Sequence, residues 1–220
     1  MSNRYFAIGD IHGCFNSMKE LIDNKIKLRK DDQLIFLGDY IDRGPDSKKV
    51  LDYIIELQNN DYDIVTLLGN HESMLVDAYY NESAMSKWIQ NGGSETLRSF
   101  DIDSLKAIDP QYIDFLKKLK LYYELDKYLF VHAGFNDKLE NPFSDNYSML
   151  WNSREEYFNP LLNDRNIIHG HSPVSLKITQ KQIMNNSKVI NIDGGCVYSS
   201  PHLGKLITFE VNTRSILIAE

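Results

Sequence analysis

The chain has 220 residues, 42% hydrophobic and 25% charged, with a formal charge of −7, so it can bury a core of its own, and a single catalytic domain over residues 1–220 is expected. The acidic balance leaves no dominant basic face, so binding to DNA or RNA backbones through counterion release is not expected. Two cysteines cannot build a disulfide framework, the opening MSNRYFAIGD lacks an export signal and no window is apolar enough to span a bilayer, so a reduced, cytoplasmic setting away from membranes is expected.

In chain order, Tyr5 to Ile8 is a short apolar run with strand character that stops at Gly9-Asp10, and Phe15 to Ile26 repeats apolar residues at helical spacing. Gln33 to Leu37 is a second strand run, ending in Gly38-Asp39, and Ser47 to Leu57 sets Val50, Leu51, Ile54, Ile55 and Leu57 on one helical face. Ile64 to Leu68 then runs into Gly69-Asn70-His71, followed by a helical pattern through Met74, Leu75, Ala78 and Tyr79. Three βα units in succession predict an α/β fold with parallel strands and right-handed crossovers. Residues 81–119 turn polar and read as a helical insertion over the sheet, broken at Gly92-Gly93 and amphipathic again from Tyr112 to Leu119. Strand signals follow at Tyr128 to Val131, Ile167 to Ile168, Val189 to Ile192, Leu206 to Val211 and Ile216 to Ala219, and these later strands are expected to form a second, stacked sheet. Residues 136–166 are long, polar and irregular, as functional or mobile loops are.

Five short phrases stand where a predicted strand has just ended: Gly9-Asp10-Ile11-His12-Gly13, Gly38-Asp39-Tyr40-Ile41-Asp42-Arg43-Gly44, Gly69-Asn70-His71-Glu72, Val131-His132-Ala133-Gly134 and His169-Gly170-His171-Ser172. One such phrase is usually a turn. Five at successive strand ends place carboxylate, imidazole and amide oxygen on one rim of the sheet, where open α/β folds bind ligands. These donors suit manganese, iron or zinc, and the lack of thiolates argues against a structural zinc site. A binuclear metal centre is the expectation.

The ordered set GDIHG, GDYIDRG, GNHE, VHAG and HGHSP, spanning Gly9 to Pro173, resembles the calcineurin-like metallophosphoesterases, and among them the phosphoprotein phosphatases with GDxHG, GDxxDRG, GNHE, HAG and GH. The resemblance implies a four-layer α/β-β/α sandwich of two packed mixed sheets flanked by helices, with two divalent metals at the rim. Manganese is the metal it points to, and the same ligands also accept iron, zinc or nickel. By matching position, Asp10 and His12 would bind the first metal, Asp39 would bridge, and Asn70, His132 and His171 would complete the second. His71 would be the proton donor, paired with Asp42, and Arg43 would grip the phosphate beside Asn70. Two such metals can share a bridging hydroxide and clamp an in-line displacement. With two carboxylates among six ligands, two divalent ions and Arg43 leave the site positive in an acidic protein. His71 would be a poor ligand if Asn70 already points inward, because neighbours in an extended segment face opposite ways.

Other residues carry weaker signals. Arg154, in the phrase MLWNSRE, resembles a second phosphate grip of the small bacterial and phage enzymes, with one extra residue after the tryptophan; an ordinary surface arginine reads the same way. WIQNGGSETLRS, residues 88–99, resembles a segment of the bacterial protein phosphatases. Asp193, in Asn191-Ile192-Asp193-Gly194-Gly195, either orients a ligand histidine or shapes a turn. His169 belongs behind the ligands or in the core, and His202 on the surface. Cys14 and Cys196 each follow a rim phrase; they either pack as buried thiols or lie close enough to oxidise together and distort the first loop.

The leading expectation is a metal-dependent hydrolase of phosphoserine or phosphothreonine monoesters. The alternative is symmetrical cleavage of diadenosine tetraphosphate, a dinucleoside polyphosphate, at the same site. Chain length is the argument for the first. A phosphate- or nucleotide-binding module without turnover is a third reading, against which Asp42, Arg43 and His71 weigh. The expected partner is therefore a phosphoprotein or a small phosphorylated molecule.

Overall fold

A computed structural model describes residues 3–220. Strands β1 (Tyr5–Ile8), β2 (Gln33–Phe36) and β3 (Asp63–Thr66) pair in parallel, Tyr5 against Gln33 and Gln33 against Asp63. Helices join them: α1 (Phe15–Lys19), which continues into a wider-wound stretch over Glu20–Ile26, and α2 (Ser47–Asn59), which buries Val50, Leu51, Ile54 and Leu57 along one stripe. Helix α3 (Asn70–Tyr80) follows β3 directly.

The chain next forms α4 (Met85–Trp88), a kinked turn through Ile89–Gly93, α5 (Ser94–Ser99) and α6 (Pro110–Leu116). These helices pack on α2 and α3. The second sheet holds β4 (Tyr122–Leu125), β5 (Tyr128–Val131), β6 (Asn166–His169) and β7 (Val189–Asn191), in that order. Between β5 and β6 the polar stretch contains α7 (Asn146–Trp151), and α8 (Leu176–Met184) leads into β7.

One expectation about the sheets is corrected here. The last two strands, β8 (Leu206–Glu210) and β9 (Ser215–Ala219), do not join the second sheet. They return to the first, β8 antiparallel to β1 with Ala7 opposite Phe209, giving the order β3-β2-β1-β8-β9. Hydrophobic alternation says which face of a strand is buried but not which edge it pairs with, and β1 offered an open edge.

The period-2 alternation of the strands builds the layers. Phe6, Ile8, Leu34 and Phe36 face the helices, with Val50, Ile54 and Trp88. Ala7, Ile35 and Leu37 face the other way and meet Phe130, Ile168 and Ile190 of the second sheet and Ile207 and Phe209 of β8. Leu129, Val131, Ile167 and Val189 point outward from the second sheet and are covered by Phe135, Met149 and Leu162. Among the described residues, no helix is long and apolar enough to cross a membrane.

Candidate metal centre

All five phrases lie just beyond strand ends, and the two sheets deliver them to one place. The first sheet brings Asp10 and His12 after β1, Asp39, Asp42 and Arg43 after β2, and Asn70 and His71 after β3. The second brings His132 after β5 and His171 after β6. The backbone is bent hard to do so. His12, Asp39, Asp42, Arg43 and His171 all adopt positive φ, from 45° to 71°, a region that side chains disfavour by about 1–2 kcal/mol each. Two glycines allow close approach: a Cβ on Gly170 would sit 2.0 Å from Asp10 Oδ1, and one on Gly69 would sit 2.2 Å from Asp39 Oδ1.

Asp39 is the centre of the arrangement. Its Oδ2 lies 3.4 Å from His12 Nε2 and 3.9 Å from His71 Nε2, while its Oδ1 lies 3.5 Å from His132 Nε2. Two donor triads result, His12–Asp39–His71 and Asp39–His132–His171, each with donor atoms within 4.8 Å of one another. Asn70 Oδ1 belongs with the second, 2.9 Å from His132 Nε2 and 3.0 Å from His171 Nδ1. Asp10 stands beside the triads, its carboxylate accepting the His171 N–H at 3.0 Å.

The residues present fit metal ions. His12 Nδ1 donates to the Ile41 carbonyl at 2.8 Å and His132 Nδ1 to the Leu37 carbonyl at 3.0 Å, which leaves each Nε2 lone pair facing inward. Burial lowers the His12 pKa to about 3 and that of His171 to about 4, and pushes His132 down as well. These rings are therefore neutral and able to ligate. Asp39 is held below the ordinary carboxylate value: burial opposes its charge, but the His71 ring, which favours its charged form, and the His71 backbone N–H at 3.1 Å from Oδ1 outweigh it. His71 Nε2 is buried without a hydrogen-bond partner. A cation already rests against the cluster, because Arg43 Nη1 donates to His12 Nε2 at 2.8 Å.

The extended reading of Asn70-His71 is corrected by the structure. These are the first two residues of α3, about 100° apart around the helix rather than on opposite faces of a strand. Both side chains consequently reach the site, and His71 Nε2 stands with His12 and Asp39 as a possible donor. Its other nitrogen is fixed, Nδ1 donating to Asp42 Oδ2 at 2.7 Å. Burial disfavours the charged ring, yet Asp39 and Asp42 together hold its pKa above the ordinary value.

Three residues that sequence reasoning did not single out hold this constellation. Trp88 Nε1 donates to both Asp42 oxygens, at 3.1 and 3.0 Å, and the Thr96 hydroxyl donates to Asp42 Oδ1 at 2.6 Å. Glu72 accepts the backbone N–H groups of Asp39 at 2.9 Å, Tyr40 at 2.8 Å and Gly69 at 3.1 Å. Their signal was present, since Glu72 closes GNHE and Trp88 and Thr96 lie in WIQNGGSET. The glycines of that segment also find a reason. Gly92, at φ 105°, accepts the Arg43 N–H through its carbonyl, and a Cβ on Gly93 would strike the Trp88 indole at 2.4 Å.

Other expected residues are more peripheral. Arg154 is exposed and follows Ser153, whose hydroxyl is 3.3 Å from that of Ser172 beside His171. Asp193 accepts the Gly195 N–H at 2.9 Å, which closes a turn, and after burial its charge is the next cause raising the Asp10 pKa. His169 is buried, with Nδ1 donating to the Gly170 carbonyl at 3.1 Å, and His202 is exposed. Cys14 and Cys196 are free, half-buried thiols packed against the same core cluster, and the Cys14 thiol donates to the His12 carbonyl at 3.9 Å.

The profile of the calcineurin-like phosphoesterase family matches residues 4–206. The chain is 34% identical over 130 residues to the symmetrical bis(5'-nucleosyl)-tetraphosphatase of Nitrosospira multiformis, covering 59% of this chain and 42% of that protein. It is 25% identical over 217 residues to the asymmetrical bis(5'-nucleosyl)-tetraphosphatase PrpE of Oceanobacillus iheyensis, covering 88% of this chain and 84% of that one. The chain spans less than half the length of several curated relatives it matches. The fold is shared with a protein serine/threonine phosphatase from Saccharomyces cerevisiae, at a TM-score of 0.68 and 18% identity over 100% of this chain and 83% of that one.

Proposed function

The chain belongs to the calcineurin-like phosphoesterase family, and from that premise we propose that it is a metal-dependent hydrolase whose substrate is a dinucleoside polyphosphate. The observation that carries the hydrolase reading is the sharing of Asp39 between two donor triads. Two divalent cations held there would supply Lewis-acid charge and acidify water. Asp10, His12 and Asp39 are proposed to hold the first, and Asp39, Asn70, His132 and His171 the second. Manganese, iron, zinc and nickel all suit these donors.

The remaining roles follow from what each side chain can reach. Water is proposed as the attacking group, with no phospho-enzyme: neither triad contains a hydroxyl or thiol, and its carboxylate and imidazoles would be engaged by the metals or, for His71, by Asp42. Arg43 is proposed to leave His12 when that nitrogen ligates, which frees its guanidinium for the phosphate oxygens. His71, anchored at Nδ1 by Asp42, has Nε2 available to donate a proton to the leaving oxygen. Asn70, whose Oδ1 lies against His132 and His171, is also proposed to add a contact to the substrate.

The choice of substrate rests on the relatives. The preference for phosphoserine or phosphothreonine leaned on chain length, and the asymmetrical tetraphosphatase, matched over 84% of its length, removes that argument. The test is turnover with added Mn²⁺, Fe²⁺, Zn²⁺ or Ni²⁺ on diadenosine tetraphosphate, a phosphothreonine peptide and p-nitrophenyl phosphate. The highest kcat/KM is expected for the dinucleotide, with ADP alone marking symmetrical cleavage and ATP with AMP marking asymmetrical cleavage. Hydrolysis of the phosphopeptide without the dinucleotide would restore the protein-phosphatase reading, and no hydrolysis with any metal would overturn the enzyme.

A further inference from the structure

The rim of the centre carries an aromatic pair that none of these roles uses. Trp151, the last residue of α7, sets its ring 5.9 Å from that of His171 at 83°. Tyr147, one helical turn earlier, stacks on Trp151 at 6.2 Å and 23°, as i and i+4 neighbours can. Tyr147 is 65% exposed, so a flat π-face is offered to solvent two rings away from a donor of the site. The Lys87 ammonium of α4 lies 5.0 Å over the indole.

Two hollows meet at Trp151, and their charges differ. One is lined by Asn136, Lys138, Ser153 and Arg154 and is basic. The other is lined by Ser73, Met74, Asp77, Lys87 and Tyr147 and contains a carboxylate from α3. A phosphate chain is drawn to the first, with two cations and no carboxylate, rather than to the second, where Asp77 offsets Lys87. An uncharged heterocycle suits the second, where it can stack on an aromatic ring and give Asp77 a hydrogen bond from an exocyclic amine.

We propose that Tyr147 and Trp151 form a stacking platform for a nucleobase of the substrate, with Asp77 accepting its exocyclic amino group and Lys138 and Arg154 lining the path of the phosphates. This rests on the dinucleoside polyphosphate reading above. It makes Tyr147 and Asp77 the residues that set base preference.

The test is binding read by tryptophan fluorescence, using a methylene-bridged, non-hydrolysable diadenosine tetraphosphate, its diuridine counterpart and tripolyphosphate as a base-free probe. The chain has two tryptophans, Trp88 and Trp151, and Trp88 is fully buried, so quenching by a stacked base reports Trp151. The diadenosine probe is expected to quench and tripolyphosphate is not. Tyr147→Leu is expected to raise the Kd of the diadenosine probe about 5- to 100-fold, with a much smaller change for tripolyphosphate, and Tyr147→Phe to restore binding. Asp77→Leu, which removes the acceptor, is expected to reduce the preference for the diadenosine over the diuridine probe. Equal quenching by tripolyphosphate, or an unchanged Kd in Tyr147→Leu, overturns the platform. Adenine-dependent quenching in a chain that does not turn over dinucleotides would defeat the proposed function and leave the platform standing. Turnover of diadenosine tetraphosphate with the same KM in Tyr147→Leu would do the reverse.

Discussion

Asp42 is buried and receives hydrogen bonds from His71, Trp88 and Thr96, so the imidazole it anchors cannot swing without breaking a buried network. The role of His71 turns on its other nitrogen, which reaches both the space between the triads and His12 and Asp39 as a possible third donor. His71→Asn separates the two. As a proton donor its loss should lower kcat by about 10²- to 10⁴-fold and leave two metals per chain by elemental analysis. A fall to one metal per chain would make it a ligand instead. Trp88→Phe removes the indole N–H that both Asp42 oxygens accept. Leaving a buried carboxylate short of a donor costs about 1–3 kcal/mol, to be read from urea unfolding, and kcat should fall more than KM changes because only the orientation of His71 is disturbed. A variant as stable and as fast as the parent would show that Thr96 and the ring alone hold Asp42.

At the scale of elements, strand ends decide where chemistry is placed, and the joints between elements hold it there. The β1–β2 joint depends on Asp32, fully buried, which receives Arg4 Nε at 2.9 Å, Arg4 Nη2 at 2.6 Å and the Arg29 N–H at 2.8 Å. Burial opposes its charge, but Arg4 and Arg29 outweigh it and the pKa lies below the usual carboxylate value. The stabilisation is therefore complete above the unfolded-chain pKa of about 3.9 and is lost as pH falls through the lower native value. Asp32→Asn should cost about 2 kcal/mol at neutral pH and flatten the acid limb of the stability curve, measured by unfolding between neutral and strongly acidic pH; an unchanged acid limb would contradict it. The strands β1 to β3 and the helix α2 could be read from the sequence because their hydrophobic periods are local and each strand stops at glycine. The ligand phrases could be read for the same reason. The pairing of β8 with β1 could not, because the residues involved, Ala7 and Phe209, are brought together only by the whole fold. Nor could the grip of Glu72 on Asp39 or of Trp88 on Asp42, since both contacts depend on how α3 and α4 dock, and composition and periodicity do not encode docking.

Across the whole molecule, the centre lies where two sheets meet, and each supplies donors to it. His12 and His71 come from the first sheet and His132 and His171 from the second, with Asp39 facing both pairs. The apolar layer that joins the sheets, around Ile35, Phe130, Ile190 and Phe209, ends below a rim of imidazoles and the carboxylates of Asp10, Asp39 and Asp42. The net charge of −7 would repel a polyphosphate at long range, but local groups set the field in a cleft, and bound divalent cations beside Arg43 reverse its sign. Ions held by ligands from both sheets bind the folded chain and not the unfolded one, so they should stabilise the molecule as a unit. At a free metal concentration about 100 times Kd the gain is about 2.7 kcal/mol, which for a chain of this length is a rise in Tm of roughly 5–10 °C. Calorimetry of chelator-treated protein, with and without Mn²⁺, should record that rise and its reversal by chelator. Asp39→Asn should lose most of it, because the oxygens shared by the two triads no longer carry a charge. A rise that survives in Asp39→Asn would place the stabilising ions elsewhere, and with them the two-sheet centre would lose its claim to the metals.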